Sequence, residues 1–235
     1  MIDLHTHILP AIDDGAPTTE AALDMARTAA AAGTRAIATT SHVGYMMNVG
    51  IDQIVQGRET LAARLAYEGI ELELLAGGEV AHGRLPDLTE DELRAVTLGG
   101  GSYVLLECPF APIGDGLEPL VDDLHERGYG VLLAHPERSA SFQRDPALLA
   151  ALVDMGALAQ VTVGSLTGHF GRIPQQTAQL MVREELVHVL ASDAHDVAGR
   201  APVLDVNGWL TAAQYERMTT VVPAAILAGQ PVRSS

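Results

Sequence analysis

The chain of 235 residues has no lysine, and its 14 basic residues are all arginine. A P-loop lysine, a Schiff-base lysine and a carbamylated lysine bridging two metals are therefore excluded. Cations of any kind are few beside 30 acidic residues, for a formal charge of −16. A surface that binds nucleic-acid phosphates needs clustered cations to displace counterions, so polynucleotides are not expected partners. The single cysteine, Cys108, rules out an intramolecular disulfide. No apolar run approaches the ~20 residues that span a bilayer, and no signal peptide precedes the first strand, so a cytoplasmic protein is expected. Absent too is any Ser/Pro-rich linker or second compositional regime. With a hydrophobic fraction of 48%, residues 1–235 are read as one domain around one sizeable core.

What is present begins with a short apolar strand that ends in His5-x-His7 and then Asp13-Asp14-Gly15. Residues two apart on a strand share a face, so both imidazoles can converge on one cation, with Asp13 or Asp14 returning from the loop. The placement recurs along the chain. Strand 35–40 leads to His42, and strand 70–76 passes through Gly77 and Gly78 to Glu79. Strand 103–106 ends at Glu107, and strand 130–134 runs into His135 and Arg138. Strand 158–163 ends without a strong ligand, whereas 187–191 leads to Asp193, His195 and Arg200.

Between the strands lie helical stretches: 21–32 capped by Thr18 or Thr19, 52–68 stopped by Gly69, a short helix from Thr89, then 117–127 and 146–155. Residues 164–173 read as a loop before a helix near Pro174, and 205–230 as mostly helical with a break near Pro223. Seven strands alternating with helices imply an α/β fold whose parallel sheet closes into a barrel, covered by the last helices. In such a barrel the carboxyl ends of the strands face one mouth, where residues distant in sequence converge. An open doubly wound sheet would spread them in a row.

The residues so placed resemble the PHP superfamily (polymerase and histidinol phosphatase), and within it the bacterial CpsB/CapC-type tyrosine phosphatases linked to polysaccharide synthesis. Nearly the whole chain carries the likeness: residues 3–15, Thr40-Ser-His42, Gly78-Glu79, Leu106-Glu107, Ala134-His-Pro-Glu-Arg138, Gln160-Val-Thr with residues 164–171, and Ser192-Asp-Ala-His195 with Gly199-Arg200. The resemblance implies a distorted (β/α)7, TIM-like barrel with a trinuclear metal centre. One metal would be held by His5, His7, Glu79 and Asp193, a second by Glu79, Glu107 and His135, and a third by Asp13, His42 and His195, with Glu79 as the bridge. Asp14 is then an orienting group or a proton donor to the leaving group, and Arg138 and Arg200 resemble phosphate-binding arginines.

Mixed imidazole and carboxylate ligands suit manganese, iron or zinc better than magnesium or calcium without choosing among them, and the resemblance makes three divalent ions, manganese foremost, the expected cofactors. Closely spaced metals lower the pKa of a shared water and withdraw charge from phosphoryl oxygens, and a guanidinium fork matches phosphate. The expected activity is phosphomonoester hydrolysis. The resemblance makes the substrate a phosphotyrosine protein, such as the tail of a tyrosine autokinase, with a small-molecule phosphatase of the histidinol-phosphate kind as the alternative. A non-catalytic metal-binding regulator is the reading from a different class, and intact ligands at all nine positions argue against it. Tyr45, Met46 and Met47 either rim a pocket or pack their loop down. Cys108 reads as core, because a cysteine phosphatase needs an arginine six residues on, where this chain has Gly114. His82, His125, His169 and His188 read as surface or core residues.

Overall fold

The computed structural model describes residues 1–44, 49–111 and 116–232, and shows a mixed α/β fold of parallel sheets. Tyr45, Met46, Met47 and Gly114 lie outside the described residues. In chain order the elements are β1 (Ile2–Thr6), α1 (Thr19–Ala31), β2 (Ala36–Thr39), β3 (His42–Val43), α2 (Ile51–Glu68), β4 (Glu73–Leu75), β5 (Glu79–Ala81), α3 (Glu90–Ala95) and β6 (Tyr103–Glu107). There follow α4 (Glu118–Glu126), β7 (Gly130–Ala134), α5 (Ala140–Arg144), α6 (Ala147–Asp154), β8 (Leu158–Thr162), α7 (Val163–Thr167), α8 (Arg172–Arg183), β9 (Val189–Ala191), α9 (Ala212–Glu216) and α10 (Val222–Leu227). The second and third expected strands shorten to β2 and β4, and each is followed by a short strand that the sequence did not predict, β3 and β5.

One sheet has the order β1-β2-β4 and the other β3-β5-β6-β7-β8-β9, with every pairing parallel. Backbone bonds join them where β1 meets the residues after β9, and β5 is bonded to the residue that leads into β3. The Asp193 amide donates to the His5 carbonyl (2.9 Å) and the His7 amide to Ala194 (2.8 Å), while the Glu79 amide reaches Ser41 (3.1 Å).

Helix ends follow local chemistry. The Thr18 hydroxyl caps α1 by accepting from the Ala21 amide, and Thr89 and Glu92 form a reciprocal capping box on α3. Gly69 closes α2 in the left-handed region (φ 68°), which glycine enters without strain. Two expectations need correction. Residues 164–173 are not all loop, since α7 occupies the first part, and Pro223 does not break the last helical stretch. A π-helical turn at Arg217–Val221 joins α9 to α10, so Pro223 falls in the first turn of a new segment, where its missing N–H has no helical acceptor to lose.

The central strands are apolar on both faces, as parallel strands between two layers must be. Val104, Leu106, Val131, Leu133, Ala159 and Val161 pack outward against Val121 and Leu124 of α4 and Leu149 and Leu152 of α6. On the inner face Leu105, Leu132, Leu158 and Val189 meet Leu4 and Ala38, and Val222 and Ile226 of α10 cover them. Alternation then sets the site, because two residues further along the same face Leu105 gives way to Glu107 and Leu158 to Gln160. β1 departs from this. Its register slips between Asp3 and Thr6, a bulge that puts the adjacent residues Leu4 and His5 on one face, so His5 and His7 both point inward above Leu4. No helix among the described residues is long and apolar enough to cross a membrane.

His188, just before β9, is a core residue at 4% exposure and accepts a hydrogen bond at Nδ1 from the Ala159 amide (3.2 Å). Burial, and after it the charge of Arg217, push its pKa down to about 4 from the usual 6.5. Between those values the unfolded chain binds a proton that the folded chain does not, so stability rises with pH there. Stability is expected to fall as pH drops from 6.5 toward 4, with this residue contributing up to roughly 3 kcal/mol. His188→Asn keeps an acceptor for the Ala159 amide, and denaturant unfolding across that range should show it losing this part of the slope.

Candidate metal centre

His5 Nε2 and His7 Nε2 stand 3.2 Å apart, both fully buried. Their outer nitrogens are already committed. His5 Nδ1 donates to the Gln160 side-chain oxygen (2.9 Å) and His7 Nδ1 to Asp13 Oδ2 (2.8 Å), which fixes both tautomers and leaves both Nε2 lone pairs facing the same space. Asp193 Oδ1 lies 3.4 and 3.5 Å from those two nitrogens, and Glu79 Oε2 lies 3.3 and 3.4 Å away.

Glu79 stands at the middle. Its Oε1 accepts from His135 Nε2 (2.8 Å), while its buried Oε2 accepts no hydrogen bond although His42 Nδ1 is only 3.0 Å off. Glu107, one strand over, is pushed up to about 7 by burial and then by the charge of Glu79. A buried acceptor ringed by nitrogens that do not donate to it, beside a second carboxylate, is an environment that a cation satisfies and a proton does not. Four overlapping sets have ligand atoms close enough to hold an ion: His5 with His7 and Asp193; His5 with Glu79 and His135; His42 with Glu79 and Glu107; and His7 with Asp14, His42 and His195.

In the last set the aspartate that faces the imidazoles is Asp14, not the expected Asp13. Asp13 is wholly engaged away from the cluster, where its Oδ2 also accepts from the His42 amide (3.0 Å) and its Oδ1 from Gly15 (3.1 Å). Burial alone would raise Asp13, but the bond from His7 and those two amides hold it at about 2. Asp14, placed by the spacing as an orienter or proton donor, instead points Oδ1 at His195 Nε2 (3.3 Å) and His42 Nε2 (3.4 Å), and those imidazoles keep it well below the usual carboxylate range. The tight turn decides which aspartate enters: a Cβ on Gly15 would come within 1.9 Å of the His7 carbonyl oxygen, so only glycine lets the loop close this way.

Two other members sit on strained backbone. His135 (φ 34°) and Asp193 (φ 51°) are among five non-glycine residues with left-handed φ in the described chain, and such strain concentrates where geometry matters more than local preference. At His135 it swings the imidazole back to Glu79, where strict alternation after Ala134 would carry it to the other face.

Beside the cluster, Arg138 Nη1 donates to Asp193 Oδ2 (2.7 Å), and Arg200 Nη2 donates to the same oxygen. The Arg138 guanidinium also lies between two phenyl rings, 5.0 Å from the centre of Phe110 and 4.6 Å from that of Phe170, which is 5.5 Å from Arg200. Both arginines, Asp14, His42, Glu79, Glu107, His135, Asp193 and His195 line one cavity of about 450 Å³. His82 lines it too, although its sequence setting pointed elsewhere. Sequence reasoning assigned no role to Gln160, Phe110 or Phe170. Gln160 had a signal, a polar residue at an inward position of a mostly apolar strand, and Phe170 lies in the 164–171 stretch that carries the resemblance, whereas Phe110 had none. Glu137 is a further buried carboxylate, lifted to about 7 by burial, that accepts from the Thr162 amide (3.1 Å) and the Ser165 hydroxyl (2.6 Å).

Fold and cluster together define a class, α/β proteins whose strand ends converge on a group of residues able to hold divalent cations. The family model for capsular polysaccharide synthesis proteins, CpsB/CapC, matches residues 1–221, and the chain belongs to that family. Tyrosine-protein phosphatase YwqE of Bacillus subtilis (strain 168) is 38% identical over 207 residues, 85% of this chain and 79% of YwqE. Putative tyrosine-protein phosphatase CapC of Staphylococcus aureus is 29% identical over 204 residues, 85% of this chain and 79% of that protein. A crystal structure from work on Bacillus subtilis YwqE and Streptococcus pneumoniae CpsB, described as unique metal-dependent tyrosine phosphatases, matches with a TM-score of 0.90 and 33% identity. It covers 100% of this chain and 97% of that one.

The two aspartates can be told apart by metal content. Asp14→Asn should lower the number of divalent ions retained per chain by about one. Asp13→Asn, which loses the oxygen that accepts from His7 Nδ1 and the His42 amide, should keep the number and weaken affinity by roughly 10- to 100-fold. Elemental analysis after dialysis and a chelator competition titration separate the outcomes, and equal loss of ions in both variants contradicts the assignment.

Proposed function

We propose that the chain is a metal-dependent phosphomonoesterase that hydrolyses phosphotyrosine in a protein, and that its partner is the tail of a bacterial tyrosine autokinase of capsular or exopolysaccharide synthesis. The observation that carries this reading is Asp193, whose Oδ1 faces the imidazole pair while its Oδ2 holds both guanidinium groups at the edge of the cavity. That carboxylate joins a cation-holding cluster to a pair of forks shaped for phosphate. The relatives named tyrosine-protein phosphatases, similar over most of their length, support the substrate. In this reading the two sheets close into a distorted seven-stranded barrel of the PHP type, and the whole chain is one cytoplasmic metallophosphatase domain.

Three divalent ions fit the donor sets, manganese first and iron or zinc as alternatives. His5, His7 and Asp193 would hold one, Glu79, His135 and Glu107 a second, and Asp14, His42 and His195 a third, with Glu79 shared. Bound there, they would supply a nucleophilic hydroxide at neutral pH and draw charge from the phosphoryl oxygens. The chain's own contribution is orientation. Gln160 and Asp13 keep the lone pairs of His5 and His7 turned inward, and Arg138 and Arg200 receive the phosphoryl oxygens and the charge that builds on them. A phenol, near pKa 10, leaves more readily than the alkoxide of a serine ester.

Arg138→Ala and Arg200→Ala are each expected to leave metal content unchanged and lower kcat/KM by roughly 10²-fold or more. Loss of ions in either variant would show that the arginine serves the cluster through Asp193 instead. Glu79→Ala should be the most damaging ligand change, and wild-type turnover in it removes Glu79 as the bridge. Substrate is decided by kcat/KM for a phosphotyrosine peptide, a phosphoserine peptide and histidinol phosphate, in an activity abolished by chelator and restored by manganese. The phosphotyrosine peptide is expected to be preferred, and a tenfold preference for histidinol phosphate establishes the small-molecule alternative.

A further inference from the structure

Phe110 is 49% exposed, an unusual state for a phenylalanine three residues past the end of β6, a strand buried along its first four residues. A single exposed apolar side chain ordinarily needs no explanation. This one differs in three respects. Its backbone is tied to a neighbouring element, because its carbonyl accepts from the Ala140 amide at the start of α5 (3.1 Å). Its ring lies nearly parallel to that of His135, 16° between planes and 5.7 Å between centres, one imidazole away from Glu79. And among the described residues lining the 450 Å³ cavity it is the one phenyl, indole or phenol ring, every other lining side chain except those of Gly44 and Ala81 being charged or imidazole.

Phe170 clarifies the assignment by contrast. It contacts Arg138 and Arg200, but it lines the separate 180 Å³ hollow behind Arg200 with Ser192, Gly199 and Val203, not the cavity itself. Phe170 therefore backs the arginines, whereas Phe110 faces what the arginines grip. An aryl phosphate gripped there carries its ring one ester oxygen beyond the phosphorus, and the Phe110 ring lines the same cavity, 5.0 Å from the Arg138 guanidinium. An alkyl phosphate offers that ring nothing to stack on.

Resting on the phosphomonoesterase reading, we propose that Phe110 is the residue that selects an aromatic ester, forming the wall on which the phenyl ring of phosphotyrosine stacks. Metals and arginines treat all phosphomonoesters alike, so selection between a phenyl and an alkyl ester falls to such a wall. An offset or edge-on ring pair is the geometry that a half-exposed phenylalanine can offer.

The test compares benzylphosphonate with propylphosphonate as ligands of the metal-loaded protein, by calorimetric titration, in wild type, Phe110→Ala, Phe110→Tyr and Phe110→Trp. Wild type should favour the benzyl compound. That preference should shrink by about tenfold in Phe110→Ala and survive in Phe110→Tyr and Phe110→Trp, the scale of one aromatic contact. In Phe110→Trp the new indole should be quenched by benzylphosphonate and far less by the propyl compound. An unchanged preference in Phe110→Ala, or equal weakening for both ligands, overturns the proposal, and equal weakening would place Phe110 with Phe170 as a support for Arg138. Should wild type bind both phosphonates yet hydrolyse no phosphoester under any metal, the enzymatic reading fails while the wall remains measurable by binding.

Discussion

Around Glu79 the chain packs the imidazoles of His5, His7, His42 and His135 and the carboxylate of Asp193 into a largely buried space at the floor of the cavity. Lone pairs that face one another there gain nothing from the apolar surroundings, and each buried charge without a counterpart costs several kcal/mol. The rest of the architecture can be understood as opposition to that cost. Strands that are apolar on both faces, two helical layers and the cap formed by α10 supply the burial that holds the groups in register. A site built this way couples ligand binding to folding, because cations remove a penalty that the protein alone must carry.

Asp193 deserves separate weight because its two oxygens belong to different tasks. Oδ1 faces His5 and His7, and Oδ2 faces two guanidinium groups, so the carboxylate cannot turn for one without abandoning the other. Its left-handed backbone fixes that orientation. The stacking of Arg138 between Phe110 and Phe170 restricts the guanidinium plane in turn. Long, flexible arginines ordinarily lose much conformational freedom when they grip a ligand, and here part of that ordering is already present in the fold.

Much of this was legible from sequence. Polar residues that follow apolar strands marked His42, Glu79, Glu107, His135 and Asp193, since strand periodicity is a strong signal and a charged residue at its end is conspicuous. Helix ends at Thr18, Gly69 and Thr89 were legible because capping is local chemistry. What failed depended on three-dimensional detail. Spacing could not tell Asp13 from Asp14, because the choice turns on the closure of the Gly15 loop against the His7 carbonyl. Pro223 read as a break because a π-turn leaves no mark on composition. The roles of Phe110 and Phe170 were invisible because aromatic contacts to Arg138 come from two distant segments.

On β6 and β8, and from β9 into the residues just past it, the inner face is divided crosswise, an apolar floor at Leu105, Leu158 and Val189 and a polar rim at Glu107, Gln160 and Asp193. Floor and rim are separate positions of one strand, so chemistry at the rim can be rewritten by substitution without opening a hole in the floor. That independence makes the scaffold tolerant of new reactions. β1 is the exception, because its bulge welds floor to rim at the neighbouring residues Leu4 and His5. There a one-residue deletion would turn either the core side chain or both imidazoles outward, so the freedom to diversify that the other strands enjoy ends at the first strand of the chain.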